Sequence, residues 1–352
     1  MKVVQSGSCT EDGPETILPV LTKQDFKSTQ EVKWCPGCGG FGILSEVQSV
    51  LPRLGIPREK IVFVSGIGCS SRFPYYLDTY GFHGIHGRAP AIAMGVKCAR
   101  PDLSVWVVTG DGDGLSIGTN HLIHCMRRNL DLNILLFNNQ IYGLTKGQYS
   151  PTSEFGKKTK SSPLGSIEQP INPIVIALAA NATFVARTVA ADLKHLRMVL
   201  EAGARHKGTS FIEIRQDCRV FNDDALESFS DKSIRKEHWV YLEEGKPIRF
   251  GKDENKGILM RGMQPEVVIV GENGVRAEDL LIHDGRDDSI AQALCVAGLP
   301  RPAFPTALGI FRQVEKPTYE DLLMGQIDSA ITRNGPGDLP KLLNEGTTWT
   351  VD

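Results

Sequence analysis

Three groups of residues in this chain have the types and spacings that chemistry uses. Asp111 stands between Gly110 and Gly112, and Asn139 follows the apolar run 133–137. A carboxylate and an amide oxygen brought together suit a hard divalent cation that keeps part of its shell for substrate phosphates. The flanking glycines let backbone approach a diphosphate, and a helix beginning there offers its amino end to the anion. The second group is cysteine: Cys35 and Cys38 in WCPGCGG at 34–40, Cys69 after Gly66-Ile67-Gly68, and Cys218. A CxxC pair can serve a zinc knuckle, a redox dithiol or half an iron–sulfur site. The third group suits anions: His86-Gly87-Arg88 ahead of a helix, and Lys146 in Thr145-Lys146-Gly147-Gln148, near enough to the diphosphate edge to meet a substrate carboxylate. Each has a plainer use. A lone GDG is often a glycine-rich turn capping a helix, His86 a surface or supporting residue, and Lys146 a solvated loop lysine.

The elements around these residues decide whether they meet. Residues 103–108 are β-branched and aromatic and read as a strand, the segment after Gly112 reads as helix up to Asn129, and 133–137 reads as a second strand. Continuous apolar runs are strands buried on both faces, and a short crossover between them makes adjacent parallel strands. Asp111 and Asn139 therefore lie just past neighbouring carboxyl ends, where open α/β sheets bind ligands. Strands at 60–65 and 210–215 place Cys69 and Cys218 on the same edge, over which the amino-terminal CxxC can fold. Four thiolates gathered there suit a tetrahedral Zn²⁺ or a 4Fe-4S cluster. Helices are predicted at 40–54, from about 90, at 172–180 and at 191–206, with a further strand at 183–189 and 210–215 as the last of the sheet. The polar stretch 149–170 is a long loop of the kind that forms a lid or a partner contact. Cys98 and Cys125 read as small core hydrophobes, and Cys9 as a bystander.

Length and composition set the frame. The chain has 352 residues, is 41% hydrophobic and 23% charged, and carries a net charge of −2, which describes a globular protein without a nucleic-acid or membrane surface. No apolar run reaches membrane length and the amino terminus lacks a signal-peptide core, so the cytoplasm is the expected compartment. There, eight cysteines point to metal binding rather than to disulfides. The predicted class is α/β: an open, mostly parallel sheet at 31–218, an amino-terminal arm at 1–30, and a carboxyl-terminal extension at 219–352 that packs on the core or on a partner.

The spacing from Asp111 to Asn139 resembles the thiamine diphosphate motif. In that motif the Asp, the Asn and a backbone carbonyl two residues later hold Mg²⁺ against the diphosphate, which implies Asp111, Asn139 and the carbonyl of Ile141 here. More widely, the chain resembles the β subunit of 2-oxoacid:ferredoxin oxidoreductases, and most closely the 2-oxoglutarate branch. The resemblance rests on WCPGCG (34–39), GIGCSSR (66–72), HGRA (86–89), GDGDGLSIG (110–118), NNQIYGLTKGQ (138–148), CRVFND (218–223) and ALGIFRQVEKPTYED (307–321). It implies a 4Fe-4S cluster on Cys35, Cys38, Cys69 and Cys218, and a cofactor lined by Ile67, Gly68, Ser70, His86, Gly87, Arg88, Gly110, Gly112, Asp113, Gly143 and Leu144. It further implies an α subunit supplying the other half of the thiamine site, which agrees with the single Mg²⁺–diphosphate half-site visible here. The implied reaction converts a 2-oxoacid and coenzyme A to acyl-coenzyme A and CO₂, or the reverse, with electrons passed to ferredoxin. Lys146 and Arg72 are the candidates to meet substrate carboxylates. Arg72 stands where some relatives carry lysine, and Asp224-Ala225-Leu226 where Gly-Ala-Phe is more usual. A non-redox thiamine-dependent decarboxylase, or a zinc-stabilised subunit without activity, would share parts of this pattern but not all of it.

Overall fold

The computed structural model describes residues 21–223, 234–349 and 351. Cys9, most of the arm and the Asp224-Ala225-Leu226 departure lie outside them. The strands are β1 (Ile61–Ser65), β2 (Tyr80–His83), β3 (Ser104–Gly110), β4 (Leu132–Asn138), β5 (Phe184–Val189), β6 (Ser210–Arg215), β7 (Trp239–Leu242), β8 (Arg249–Phe250), β9 (Lys256–Arg261), β10 (Gln264–Ile269) and β11 (Thr306–Gln313). Eight of them form one sheet in the order β2-β1-β3-β4-β6-β5-β11-β7, parallel throughout except where β11 meets β5, and β8 to β10 form a small antiparallel sheet.

The apolar runs are what this sheet requires. Every residue of β4 is buried, and β3 sends Val105 and Val107 to one face and Trp106 and Val108 to the other. The first face is covered by α2 (Ala89–Ala99), α3 (Thr119–Arg128) and α4 (Pro173–Ala179) through Ala93, Leu122, Met126 and Ile174. The second is covered by α1 (Gly40–Val50) and α5 (Leu193–Arg205) through Ile43, Val47, Leu196 and Val199. Both faces are therefore dry, which is the condition under which parallel strands occur. Asn172 caps α4 by accepting from Ile174 and Val175 backbone N–H groups, and Asp192 caps α5 through His195.

Two differences from the sequence reading have physical causes. β2 has no counterpart among the strands expected from the sequence, because its Tyr80, Gly81, Phe82 and His83 are all exposed and carry no buried face; its pairing with β1 is a matter of backbone bonds. The segment 210–215 is not the last strand, since β11 and β7 continue the sheet beyond β5. Neither obeys a βα rhythm, so periodicity does not assign them. Among the described residues no helix is long and apolar enough to cross a membrane.

Candidate active site

The chain leaves β1 for the edge strand β2 and then returns to the other side of β1 as β3. The strand order reverses there, and an open α/β sheet has its ligand crevice outside the carboxyl ends at such a point. In-register pairing of Ser65 with Val108 and of Gly110 with Phe137 brings the ends of β1, β3 and β4 level. The resulting cleft is lined by Ile67, Gly68, Ser70, His86, Gly110, Asp111, Gly112, Asp113, Asn139, Ile141, Gly143 and Leu144. Gly87 and Arg88 do not line it. Gly87 serves through its backbone N–H, and the Arg88 guanidinium turns instead to His121 on α3.

Asp111 is buried, and burial pushes its carboxyl up to about 6 against the hydrogen bonds that favour the charged form. Among the described residues the groups that favour its charged form are hydroxyls and backbone amides rather than a cation. Asn139 Oδ1 accepts from the Ile141 backbone N–H at 3.1 Å, which turns the Ile141 peptide back into the cleft. Gly112 must be glycine here: a Cβ would stand 2.2 Å from the Tyr142 ring, whose hydroxyl donates to the Gly112 carbonyl at 3.0 Å. The helix past Gly112 begins as a π-type turn, Asp113–Ile117, before α3. Such turns recur at functional sites.

Asp113 has a different task from Asp111. Its carboxylate accepts from Thr109 Oγ1 at 2.6 Å, from Ile67 N at 3.1 Å and from Gly87 N at 2.7 Å, with His86 Nδ1 2.7 Å away. It ties the loops after β1 and before α2 to the start of the π-type turn, so it shapes the cleft wall rather than presenting a free charge. A Cβ on Gly66 would lie 2.0 Å from Asp113 Oδ2. Gly66→Ala is therefore expected to cost about 2–4 kcal/mol by breaking a buried hydrogen-bonded junction, visible as a lower thermal midpoint; an unchanged midpoint would show that Asp113 is not the junction described.

The cysteines converge as the topology requires. Cys35, Cys38, Cys69 and Cys218 line one cavity, which shares Cys69, Asn139, Gly143, Leu144 and Gln216 with the Asp111 cleft. Burial, then the neighbouring thiols of Cys38, Cys218 and Cys35, push Cys69 up to about 11. Trp34 Nε1 donates to the Cys69 carbonyl at 2.7 Å and so pins the CxxC segment to the end of β1. Among the described residues no three His, Cys, Asp or Glu side chains are close enough together to hold a single metal ion. Arg72 and Lys146 stand on the wall of this same cavity, and Lys146 adopts a left-handed backbone with φ +78°.

Several residues at the site have no sequence signal. Ser150 and Thr152 place hydroxyls on Asp111, and Asn222 donates to the Asn139 carbonyl at 3.0 Å while its own oxygen accepts from Lys157. Hydroxyl and amide residues in a polar loop look the same whether solvated or turned inward. The Asn222 contact is the exception that the CRVFND segment hints at, since it keeps Cys218 against the strand ends.

Residues 66–214 match the family profile "Thiamine pyrophosphate enzyme, C-terminal TPP binding domain". The chain is 51% identical over 342 residues to the 2-oxoglutarate oxidoreductase subunit KorB of Mycobacterium tuberculosis, covering 96% of this chain and 91% of that one. The chain belongs to the 2-oxoacid:ferredoxin oxidoreductase β-subunit family. Within that family it is also 47% identical, over 58% of its own length and 67% of the relative's, to the 2-oxoacid:ferredoxin oxidoreductase β subunit of Saccharolobus solfataricus. In three dimensions it is similar to the 2-oxoglutarate:ferredoxin oxidoreductase from Magnetococcus marinus solved with 2-oxoglutarate, coenzyme A and succinyl-CoA bound, with a TM-score of 0.73, 32% identity, and coverage of 93% of this chain and 97% of that one. The β-subunit fold is thus an oxidoreductase subunit with a thiamine diphosphate-binding domain.

Proposed function

We propose that this β subunit, with an α subunit that completes the thiamine site, converts 2-oxoglutarate, coenzyme A and two oxidised one-electron carriers to succinyl-CoA, CO₂, two reduced carriers and a proton, or runs the reverse. The carrier is ferredoxin or a protein like it, and the compartment is the cytoplasm. One observation carries the reading: thiols from three distant segments meet in a cavity that shares a wall with the Asp111–Asn139 cleft. A decarboxylase without redox chemistry has no use for that adjacency.

The donor sets fit the groups. Asp111, Asn139 and the Ile141 carbonyl are hard oxygen ligands for Mg²⁺, and the buried carboxylate gains from a cation. The four thiols that line one cavity are the donor set that a four-iron cluster takes. When bound, thiamine diphosphate would supply the electron sink for decarboxylation and a four-iron cluster a one-electron acceptor. This chain's residues do the positioning: Asp111 and Asn139 fix the diphosphate end, Ile67, Gly68 and Ser70 line the cleft, and Arg72 and Lys146 face anions. A substrate with a second carboxylate uses that extra positive charge better than pyruvate does.

Anaerobic purification with the co-purifying partner, followed by iron and zinc assay and a visible spectrum, tests this. Iron near four per β chain, with bleaching on addition of 2-oxoglutarate, thiamine diphosphate and coenzyme A and weaker bleaching by pyruvate, is expected. One zinc per chain and a colourless protein would overturn it.

A further inference from the structure

The first turn of the 149–170 segment is not a surface turn. Ser150, Thr152 and Ser153 are 3%, 2% and 4% exposed. Ser150 Oγ donates to Asp111 Oδ2 at 2.5 Å, and Thr152 Oγ1 stands 2.7 Å from the same oxygen. Ser153 Oγ donates to the Gln140 carbonyl at 2.6 Å and accepts from the Ser150 backbone N–H at 2.7 Å, which locks the turn itself. Among the described residues both side-chain hydrogen bonds to Asp111 fall on Oδ2.

Thr152 Oγ1 also lies 2.9 Å from Asn138 Oδ1, and a hydroxyl has one hydrogen to give. Asn138 decides where it goes. Its Nδ2 donates to Glu213 Oε1 at 2.7 Å and its Oδ1 accepts from the Gln140 backbone N–H at 3.3 Å. A flipped amide would set its oxygen against the Glu213 carboxylate. Burial presses the Glu213 carboxyl upward, but Arg187 and Arg215 outweigh it and hold the group below its usual range; Arg187 Nε donates to Oε2 at 2.6 Å. The orientation of Asn138 is thereby fixed from behind. Between a neutral amide oxygen and a carboxylate, the charged acceptor makes the stronger bond.

We infer that Ser150 and Thr152 form a hydroxyl clamp that pins Oδ2 of Asp111 and presents Oδ1 to the cation. All of these are positioning residues. The reason for a clamp lies in the cation: Mg²⁺ demands near-octahedral geometry, so a carboxylate free to rotate loses affinity. The inference rests on Asp111 being a cation ligand, and the test separates the two ideas.

The complex with its partner, stripped of Mg²⁺ and thiamine diphosphate, is titrated with Mg²⁺ at fixed thiamine diphosphate, reading cofactor binding by calorimetry. Thr152→Val keeps the volume and removes the hydroxyl. It is expected to raise the half-saturating Mg²⁺ concentration about 10- to 100-fold, Ser150→Ala to move it in the same direction, and Thr152→Ser to restore it to within about threefold. The stripped Thr152→Val complex is expected to melt within about 2 °C of the parent. Parental Mg²⁺ demand in Thr152→Val, alongside lost Mg²⁺ dependence in Asp111→Asn, would overturn the clamp. So would a large fall in melting temperature that Thr152→Ser does not repair, because the hydroxyl would then serve packing. An Asp111→Asn complex that still binds cofactor with the parent's Mg²⁺ demand would instead overturn the cation site on which the clamp depends.

Discussion

Asp111→Asn is expected to give a β subunit that is more stable without cofactor and unable to use it. The carboxyl is fully buried and burial lifts it from 3.8 to about 6. A group raised in the folded state stabilises that state while protonated, below its unfolded value, and the contribution is lost as pH rises through about 6. At pH 8 the parent therefore carries a cost of about 3 kcal/mol, at 1.36 kcal/mol per pKa unit, wherever no cation offsets it. Asparagine has the same shape and no charge, and Ser150 and Thr152 can rotate to serve it. In chelator the variant should melt above the parent at pH 8, with the gap closing toward pH 4. Added Mg²⁺ and thiamine diphosphate should raise the parent's midpoint and leave the variant's unmoved, and turnover should fall at least about 100-fold. A variant that melts below the parent in chelator at pH 8 would show that Asp111 is satisfied by protein alone.

This opposition between stability and use explains which parts of the protein were legible in its sequence. β3, α3 and β4 were, because both faces of a parallel sheet must be dry and the pattern of apolar runs records that directly. Asp111, Asn139, Cys69 and Cys218 were legible for the same reason: each comes soon after such a run, and parallel strands end on one edge. Elements held by backbone pairing alone left no trace, as with β2, whose side chains are all exposed. The antiparallel entry of β11 beside β5 was equally silent, since it completes the sheet from a distant segment and runs against the parallel pattern. Thr152 and Asn138 are the instructive cases at the site. Their types are ordinary for a loop and a strand end, and only the buried charge of Asp111 on one side and of Glu213 on the other gives them a task. Arg88 is the converse, a residue whose neighbours point to the cofactor while its own side chain turns to His121.

Cys69→Ala is expected to separate the two halves of the proposed chemistry. Cys69 belongs to both cavities, yet its thiol and its backbone do different things. The carbonyl holds Trp34, which packs edge-on against Phe41 and Tyr76, and alanine leaves that carbonyl in place. The fold and the Asp111 site should therefore survive: cofactor binding in the α–β complex should stay within about threefold of the parent, since its ligands lie at the ends of β3 and β4. The thiol is another matter. With only Cys35, Cys38 and Cys218 remaining, iron content and visible absorbance should collapse, and 2-oxoglutarate-dependent reduction of a one-electron acceptor should fall at least about 100-fold. Cys125→Ala, a buried thiol on α3 packed in the core away from that cavity, should keep its iron and lose only about 1–2 kcal/mol of stability from the small cavity left behind. Measuring iron, spectrum and cofactor binding on both variants decides the matter, because loss of cofactor binding together with iron in Cys69→Ala would mean that the two cavities are one folding unit rather than two adjoining sites.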